Sequence, residues 1–257
     1  NKNKWSATLA CTNKTKRPNY SSLRNEVQYD NRYLYEGGNP YLRPCVISNI
    51  DLNVVYKWLS LNAGYNYIDK PIIWTSTLYH GKDIIFQRSL NFSNDQDLYA
   101  SLVAEPRFGW YNPMFEIDYS QTFLSTAGFD IEGIASKPSF RLRCNNRFDI
   151  SKTIKAYLNM KYRTSVHDGL QYTKPYSQMD IRLSKTFCKE AWQISLFAND
   201  LFRQSKERWT TYGSRTSITK NCYEYYRCVG LIVRYRFNTA NSKYKGIGAG
   251  NAEKNRL

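Results

Sequence analysis

The sequence predicts an all-β fold: a portion of an antiparallel up-and-down barrel whose strands cross a membrane. Three observations predict it. Apolar and polar residues alternate along nearly the whole chain, the alternating stretches are longer than ordinary strands, and the connections between them are short and long in turn. Composition agrees. Tyrosine supplies 22 of the 257 residues and aromatics make up 16%, a bias that favours strands.

The alternation is read directly from the letters. In "YSQMDIRLSKTF", Met179, Ile181, Leu183 and Phe187 alternate with Asp180, Arg182, Ser184 and Thr186. In "TIKAYLNMKYR", Ile154, Leu158 and Met160 alternate with Lys155, Asn159, Lys161 and Arg163. "SNIDLNVVY" sets Ile50 and Leu52 against Asp51, "MFEIDYSQTF" sets Phe115 and Ile117 against Glu116 and Asp118, and "FRLRCN" sets Phe140 and Leu142 against Arg141 and Arg143. The last run opposes Val229, Leu231, Val233, Tyr235 and Phe237 to Arg234 and Arg236. A period of two is a strand period.

About ten long strands follow, at 4–14, 45–57, 58–78, 82–105, 110–125, 138–150, 153–166, 175–188, 190–203 and 208–238. Several exceed the ~5–6 residues of an average strand and fit the ~9–11 needed to cross a bilayer at a tilt. Connections at 15–44, around "TSTLYHGKDII", "STAGFDIEGIASKP", "VHDGLQYTKP" and "RQSKERWTTYG" are long. Those at Lys57–Trp58, "EPRFGWYN", "DISK" and "CKE" are short. Strict alternation of this kind is the habit of barrels with short periplasmic turns and long extracellular loops. Trp58, Trp110, Tyr111, Trp192, Phe202 and Trp209 fall near turns, where interfacial aromatic belts lie.

Alternation alone leaves open which face is wet. In a soluble sandwich the apolar faces pack together; in a membrane barrel they meet lipid and the polar residues line the lumen. Strand length and loop alternation favour the membrane. The candidate lumen-lining set is then Asp51, Glu116, Asp118, Arg141, Arg143, Lys155, Lys161, Arg163, Asp180, Arg182, Arg234 and Arg236. Residues 1–238 are expected to form the barrel portion and 239–257 a flexible periplasmic tail. The opening "NKNKWSATLA" already reads as a strand, so the chain is expected to be part of a longer protein.

The excess of 37 Lys and Arg over 21 Asp and Glu gives a formal charge of +16, which fits anionic partners. The basic residues are spread along every strand and carry no nucleic-acid motif, so phosphorylated lipopolysaccharide and an anionic solute are the expected partners rather than nucleic acid. Catalytic, cofactor and metal sites are not expected. The two histidines, His80 and His167, fall in loops, and the six cysteines include no C-x-x-C pair. Cys222 and Cys228 are read on one strand, facing one side and too far apart to bond, while Cys11 and Cys45 flank one long connection and are able to approach. "GIGAG" near the C-terminus matches neither a dinucleotide fingerprint nor a P-loop in spacing.

Four segments resemble the outer membrane protein β-barrel family related to TonB-dependent receptors of Gram-negative bacteria. They are "KRPNYSSL" followed by "EGGNPYLRP", the hairpin "IRLSKTFCKEAWQISLFANDLF", the strand "VGLIVRYRFN", and the tail "SKYKGIGAGNAEKNRL". The resemblance covers essentially the whole chain. It implies the C-terminal portion of a barrel of the 22-stranded, plugged kind, seated in the outer membrane. It further implies a plug and a TonB-contacting segment N-terminal to this portion, and an unidentified solute taken up. A non-transporting outer-membrane barrel, or a soluble β-sandwich binding module, is the alternative.

Overall fold

The computed structural model describes residues 5–131, 134, 136–222 and 226–237. The expected tail at 239–257 lies outside the described residues. Among the described residues eighteen strands follow in order: β1 (Trp5–Lys16), β2 (Val27–Asn31), β3 (Leu34–Gly37), β4 (Cys45–Tyr56), β5 (Leu59–Asp69), β6 (Ile72–Leu78), β7 (Ile85–Asn91), β8 (Asn94–Ala104) and β9 (Tyr111–Leu124). The second half holds β10 (Ser139–Phe148), β11 (Ile154–Arg163), β12 (Val166–Asp168), β13 (Gln171–Thr173), β14 (Tyr176–Phe187), β15 (Trp192–Asn199), β16 (Glu207–Gly213), β17 (Thr216–Cys222) and β18 (Cys228–Tyr235).

Ten of them make one antiparallel meander, β1-β4-β5-β8-β9-β10-β11-β14-β15-β18, each strand hydrogen-bonded to the next in sequence order. This is an up-and-down barrel wall with open edges at β1 and β18. All four short turns lie at one end of the wall and all five long connections at the other. Left-handed backbone at Lys57 tightens the first short turn, and Cys188, Lys189 and Glu190 all take positive φ in the last.

The expected number of wall strands is met, but three of the expected runs are broken. The run 58–78 divides at Lys70-Pro71 into β5 and β6, and 82–105 divides at Phe92-Ser93 into β7 and β8. The hairpin ladder continues across the break, with Asp69 opposite Asn94 and then Ile72 opposite Asn91. Lys70 has φ 51°, and Pro71 fixes its own φ and lacks an N–H, so the chain bends out of the wall here. Asn91 fastens the bend: its side-chain amide donates to the carbonyls of Arg43 and Lys70, and its oxygen accepts the Arg43 N–H. The run 208–238 contains the hairpin β16–β17 and only then the wall strand β18. Cys222 and Cys228 therefore stand on different strands, because the chain leaves one ladder and enters another between them. Cys11 faces Ile50 and Cys45 faces Lys16 in the same ladder, so register holds the first pair of cysteines apart as well. All six thiols are free.

The long connections are themselves folded. β2-β3-β7-β6 form one four-stranded sheet, with a parallel β3–β7 pair, and β12-β13-β16-β17 form another. The two meet where the Ser76 and Thr216 hydroxyls lie 2.6 Å apart and the Ser214 N–H donates to the Ser76 carbonyl. Phe92 stacks on Phe129 at 4.2 Å, and Arg215 pairs with Asp130 at 2.7 Å. The most buried side chains of the described residues, Phe92, Thr75, Ser76 and Asp200, all lie in or beside these connections. The wall instead leaves its large apolar residues exposed, among them Leu52, Ile117, Leu142, Ile181, Leu183, Leu196 and Leu231. A water-soluble sheet buries such a face.

Candidate functional site

Side chains alternate across a pleated sheet, and the register converts the alternation into rows. On one face Leu158, Ile181, Ala198 and Val229 lie side by side, with Leu183, Leu196 and Leu231 as the next row. The opposite face carries two polar rows. The first runs Thr8–Asn53–Asn62–Ser101–Asp118–Arg141–Arg163–Tyr176. The second includes Glu116–Arg143–Lys161–Gln178 and lies one step nearer the short turns.

Opposite charges meet at the middle of these rows. Arg143 is hydrogen-bonded to the buried Glu116 carboxylate and stands 3.3 Å from Asp118, which lies 3.7 Å from Arg141 and accepts the Ser101 hydroxyl at 2.7 Å. Arg163 has its guanidinium 4.7 Å from the Tyr176 ring centre and 3.9 Å from Glu207 at the start of β16. Its Nε and Nη2 are buried without a hydrogen-bond partner among the described residues. Lys161 makes no ion pair among them.

The remaining predicted residues distribute along the same face. Asp51 accepts the Tyr99 hydroxyl, which also receives Asn49 Nδ2 at 3.1 Å. Tyr99 reaches Asp51 over Gly64, where an added Cβ would collide with the Tyr99 hydroxyl oxygen. Asp180 accepts both the Gln178 amide and the Asp200 N–H. Lys155 stands opposite Ser184, Arg182 between Tyr157 and Phe197, and Arg234 opposite Gln193. Arg236 lies past the end of β18 and faces Glu190, 3.8 Å away, at the short-turn end. Sequence reasoning left out Tyr99, Tyr176, Gln178 and Glu207. The first three alternate correctly for the polar face, but uncharged residues carry a weaker signal. Glu207 is brought there by a loop strand.

Aromatic residues cluster at the short-turn end: Trp110 and Tyr111 against Phe148, and Trp192 against Tyr235. Trp58 is exposed in its turn there. Phe202 lies at the long-connection end, and Trp209 sits inside β16, with the Lys220 ammonium 5.5 Å from its ring centre. Above the wall, burial and then the Lys137 charge hold His167 below its ordinary pKa. Its neighbour Asp168 is pushed up by burial and then by Asp97.

A sheet apolar on one face, charged on the other and folded over at one end matches known proteins of one kind. The family model of the outer membrane protein β-barrel family matches residues 1–235. Among solved structures, the chain resembles the siderophore receptor PirA from Pseudomonas aeruginosa, with a TM-score of 0.59 at 13% sequence identity, over 85% of this chain and 40% of the receptor. The chain thus spans less than half the length of that receptor. No curated protein sequence matches. The chain belongs to the outer membrane protein β-barrel family, and its wall is seated in the outer membrane.

Proposed function

We propose that the chain is the C-terminal barrel portion of a TonB-dependent outer-membrane receptor that takes up a solute. Residues 1–238 are then the wall and its loops, with 239–257 a periplasmic extension. The carrying observation is the two-sidedness of the wall. One face offers continuous apolar rows, while the other offers a row in which Glu116, Asp118, Arg141 and Arg143 pair with one another. Paired charges of that density are stable facing water and costly facing lipid, so the polar face, including Lys155, Asp180, Arg182 and Arg234, lines the lumen. The likeness to PirA, a siderophore receptor, supports a receptor role. Energy reaches the barrel through a region N-terminal to this portion, and lipid and lipopolysaccharide surround it.

The test is solute depletion. Cells expressing the gene and cells lacking it are grown in one complex medium, and the spent media are compared by mass spectrometry, with and without a protonophore. At least one solute should persist when the gene is absent, and the protonophore should reproduce that defect. Identical depletion by both strains, with the protein present in the outer membrane, would overturn the proposal.

A further inference from the structure

A pocket of about 320 Å³ opens where the polar face of the wall passes under the loop strands. Lys161, Tyr176 and Gln178 form its floor, and Ser205, Glu207 and Cys222 its roof. That volume sits at the small end of ligand sites, which run ~300–1,000 Å³. Its polar groups are unevenly used. Ser205 donates to Asp200, and the Gln178 amide donates to Asp180, so both nitrogen and hydroxyl donors are occupied. The Lys161 ammonium and the Tyr176 hydroxyl have no partner among the described residues. Arg163 stands behind this lining, against the Tyr176 ring and 3.9 Å from Glu207, and two of its buried nitrogens lack an acceptor among the described residues.

Among the described residues two cations therefore stand by one carboxylate, Glu207, and that carboxylate lies 3.9 Å from the guanidinium, beyond hydrogen-bond distance. Donors in a half-enclosed cleft seek acceptors, and a cleft walled by protein strengthens the field of the cations. We infer that this pocket binds a small oxyanion, a carboxylate or phosphate group of the solute. In this arrangement the Lys161 ammonium contacts the oxygens, the Tyr176 hydroxyl donates a further bond, and the Arg163 guanidinium behind the floor adds its charge. The assignment deepens the uptake reading and rests on it only for how the solute arrives.

Cys222 supplies a reporter inside the pocket, since its thiol is free. Lys220 and Arg227 bracket it, so a tryptic peptide 221–227 contains no other cysteine. The purified whole protein in detergent is treated with sulfonatoethyl or trimethylammonioethyl methanethiosulfonate, and the labelling of that peptide is timed. The anionic reagent should gain at least about tenfold over the cationic one, relative to their ratio with free cysteine, as expected of a focused local field. Lys161→Gln should erase most of the gain and Glu207→Gln should enlarge it, so a misfolded variant of one kind leaves the other informative. Citrate and inorganic phosphate are then added as protecting anions. Protection by citrate alone assigns a carboxylate, by phosphate alone a phosphate, and neutral glucose should protect in neither case. The inference is overturned by equal rates for the two reagents, by a thiol that neither reagent reaches, or by glucose protecting as well as the anions. Labelling needs no transport, so a failure here is separable from a failure of solute uptake.

Discussion

Placing a charge on the apolar face at mid-height gives the sharpest measure of which face meets lipid. Ile181 is the sixth of the twelve residues of β14 and is 40% exposed. Twelve residues at ~3.3 Å each span ~40 Å along the strand, and a tilt of ~40° reduces this to ~30 Å of height, slightly more than the ~25 Å apolar band of such walls. Ile181 then lies about 15 Å from either end, near the bilayer midplane, where an arginine on the lipid face costs ~2–4 kcal/mol. Ile181→Arg should therefore shift the folding equilibrium in phospholipid vesicles by ~30- to ~700-fold, one factor of ten for each ~1.4 kcal/mol. Asn159 provides the control. It adjoins Leu158, the register partner of Ile181, but points to the opposite face beside Asp180. Asn159→Arg at the same height should cost under ~1 kcal/mol, since an arginine in a wet lumen keeps its hydration and gains a carboxylate neighbour. Both are read by tryptophan fluorescence during denaturant titration of the protein in vesicles. The reasoning is refuted if the two variants cost the same, or if Ile181→Arg costs less than ~1 kcal/mol.

Three further outcomes follow from local geometry. Gly213→Ala should loosen the outer layer by about 1–3 kcal/mol through overpacking, because the new Cβ would strike the Ser76 hydroxyl and carbonyl; faster proteolysis of the β16–β17 hairpin is the readout. Asp200 is fully buried, has φ 48° and accepts the N–H groups of Gln204 and Ser205 together with the Ser205 hydroxyl. Asp200→Ala should thus destabilise by roughly 2–3 kcal/mol, as unsatisfied buried donors do, while Asp200→Asn, tolerant of positive φ, should cost less in a thermal melt. The β12–β13 hairpin should respond to pH with two opposing signs. The lowered pKa of His167 means that its stability is present above the unfolded value of ~6.5 and is lost as pH falls below it. The raised pKa of Asp168 means that its penalty is present at neutral pH and is relieved as pH falls through the folded value toward ~3.9. The protection factor of hydrogen exchange at Gln171–Thr173, corrected for the intrinsic rate at each pH, should accordingly rise at pH 7 in Asp168→Asn, and its fall on mild acidification should vanish in His167→Asn.

The wall was legible in the letters because a two-residue period has only two faces. Once Ile181 is apolar and Arg182 charged, every neighbour in the strand is assigned. Strand number was legible because the short turns leave no room for anything else. The loop strands were not legible as such, because β6, β7, β16 and β17 obey the same alternation as the wall strands they adjoin. Thr75 and Ser76 are fully buried although polar, since they face a second sheet rather than lipid or water. Only Pro71 marked one of the bends, and nothing in the sequence marked the gap between Cys222 and Cys228. The polar network needed register as well as period. Tyr99 finds Asp51 two strands away because Gly64 stands between them, and Glu207 reaches Arg163 only after the hairpin beyond β15 folds back.

Two kinds of stability coexist in the chain. The wall holds a large apolar face outward, so its burial term comes from lipid, and its strands are joined by ladder hydrogen bonds that water cannot compete for inside a bilayer. The outer layer buries Phe92, Leu170, Thr75 and Ser76 against its own sheets, as a small water-soluble domain does. Lipid removal therefore weakens the first and leaves the second, while breaking the Ser76–Thr216 contact or the Arg215–Asp130 pair acts on the second alone. The pocket at Lys161 and Glu207 lies on the seam between the two, with its floor on β11 and β14 and its roof on β16, β17 and residues beside them. A shift of the outer layer relative to the wall changes the Arg163–Glu207 separation, since that pair spans the seam at 3.9 Å. Closing it neutralises one cation and opening it frees both, so the seam sets how strongly the pocket holds an anion.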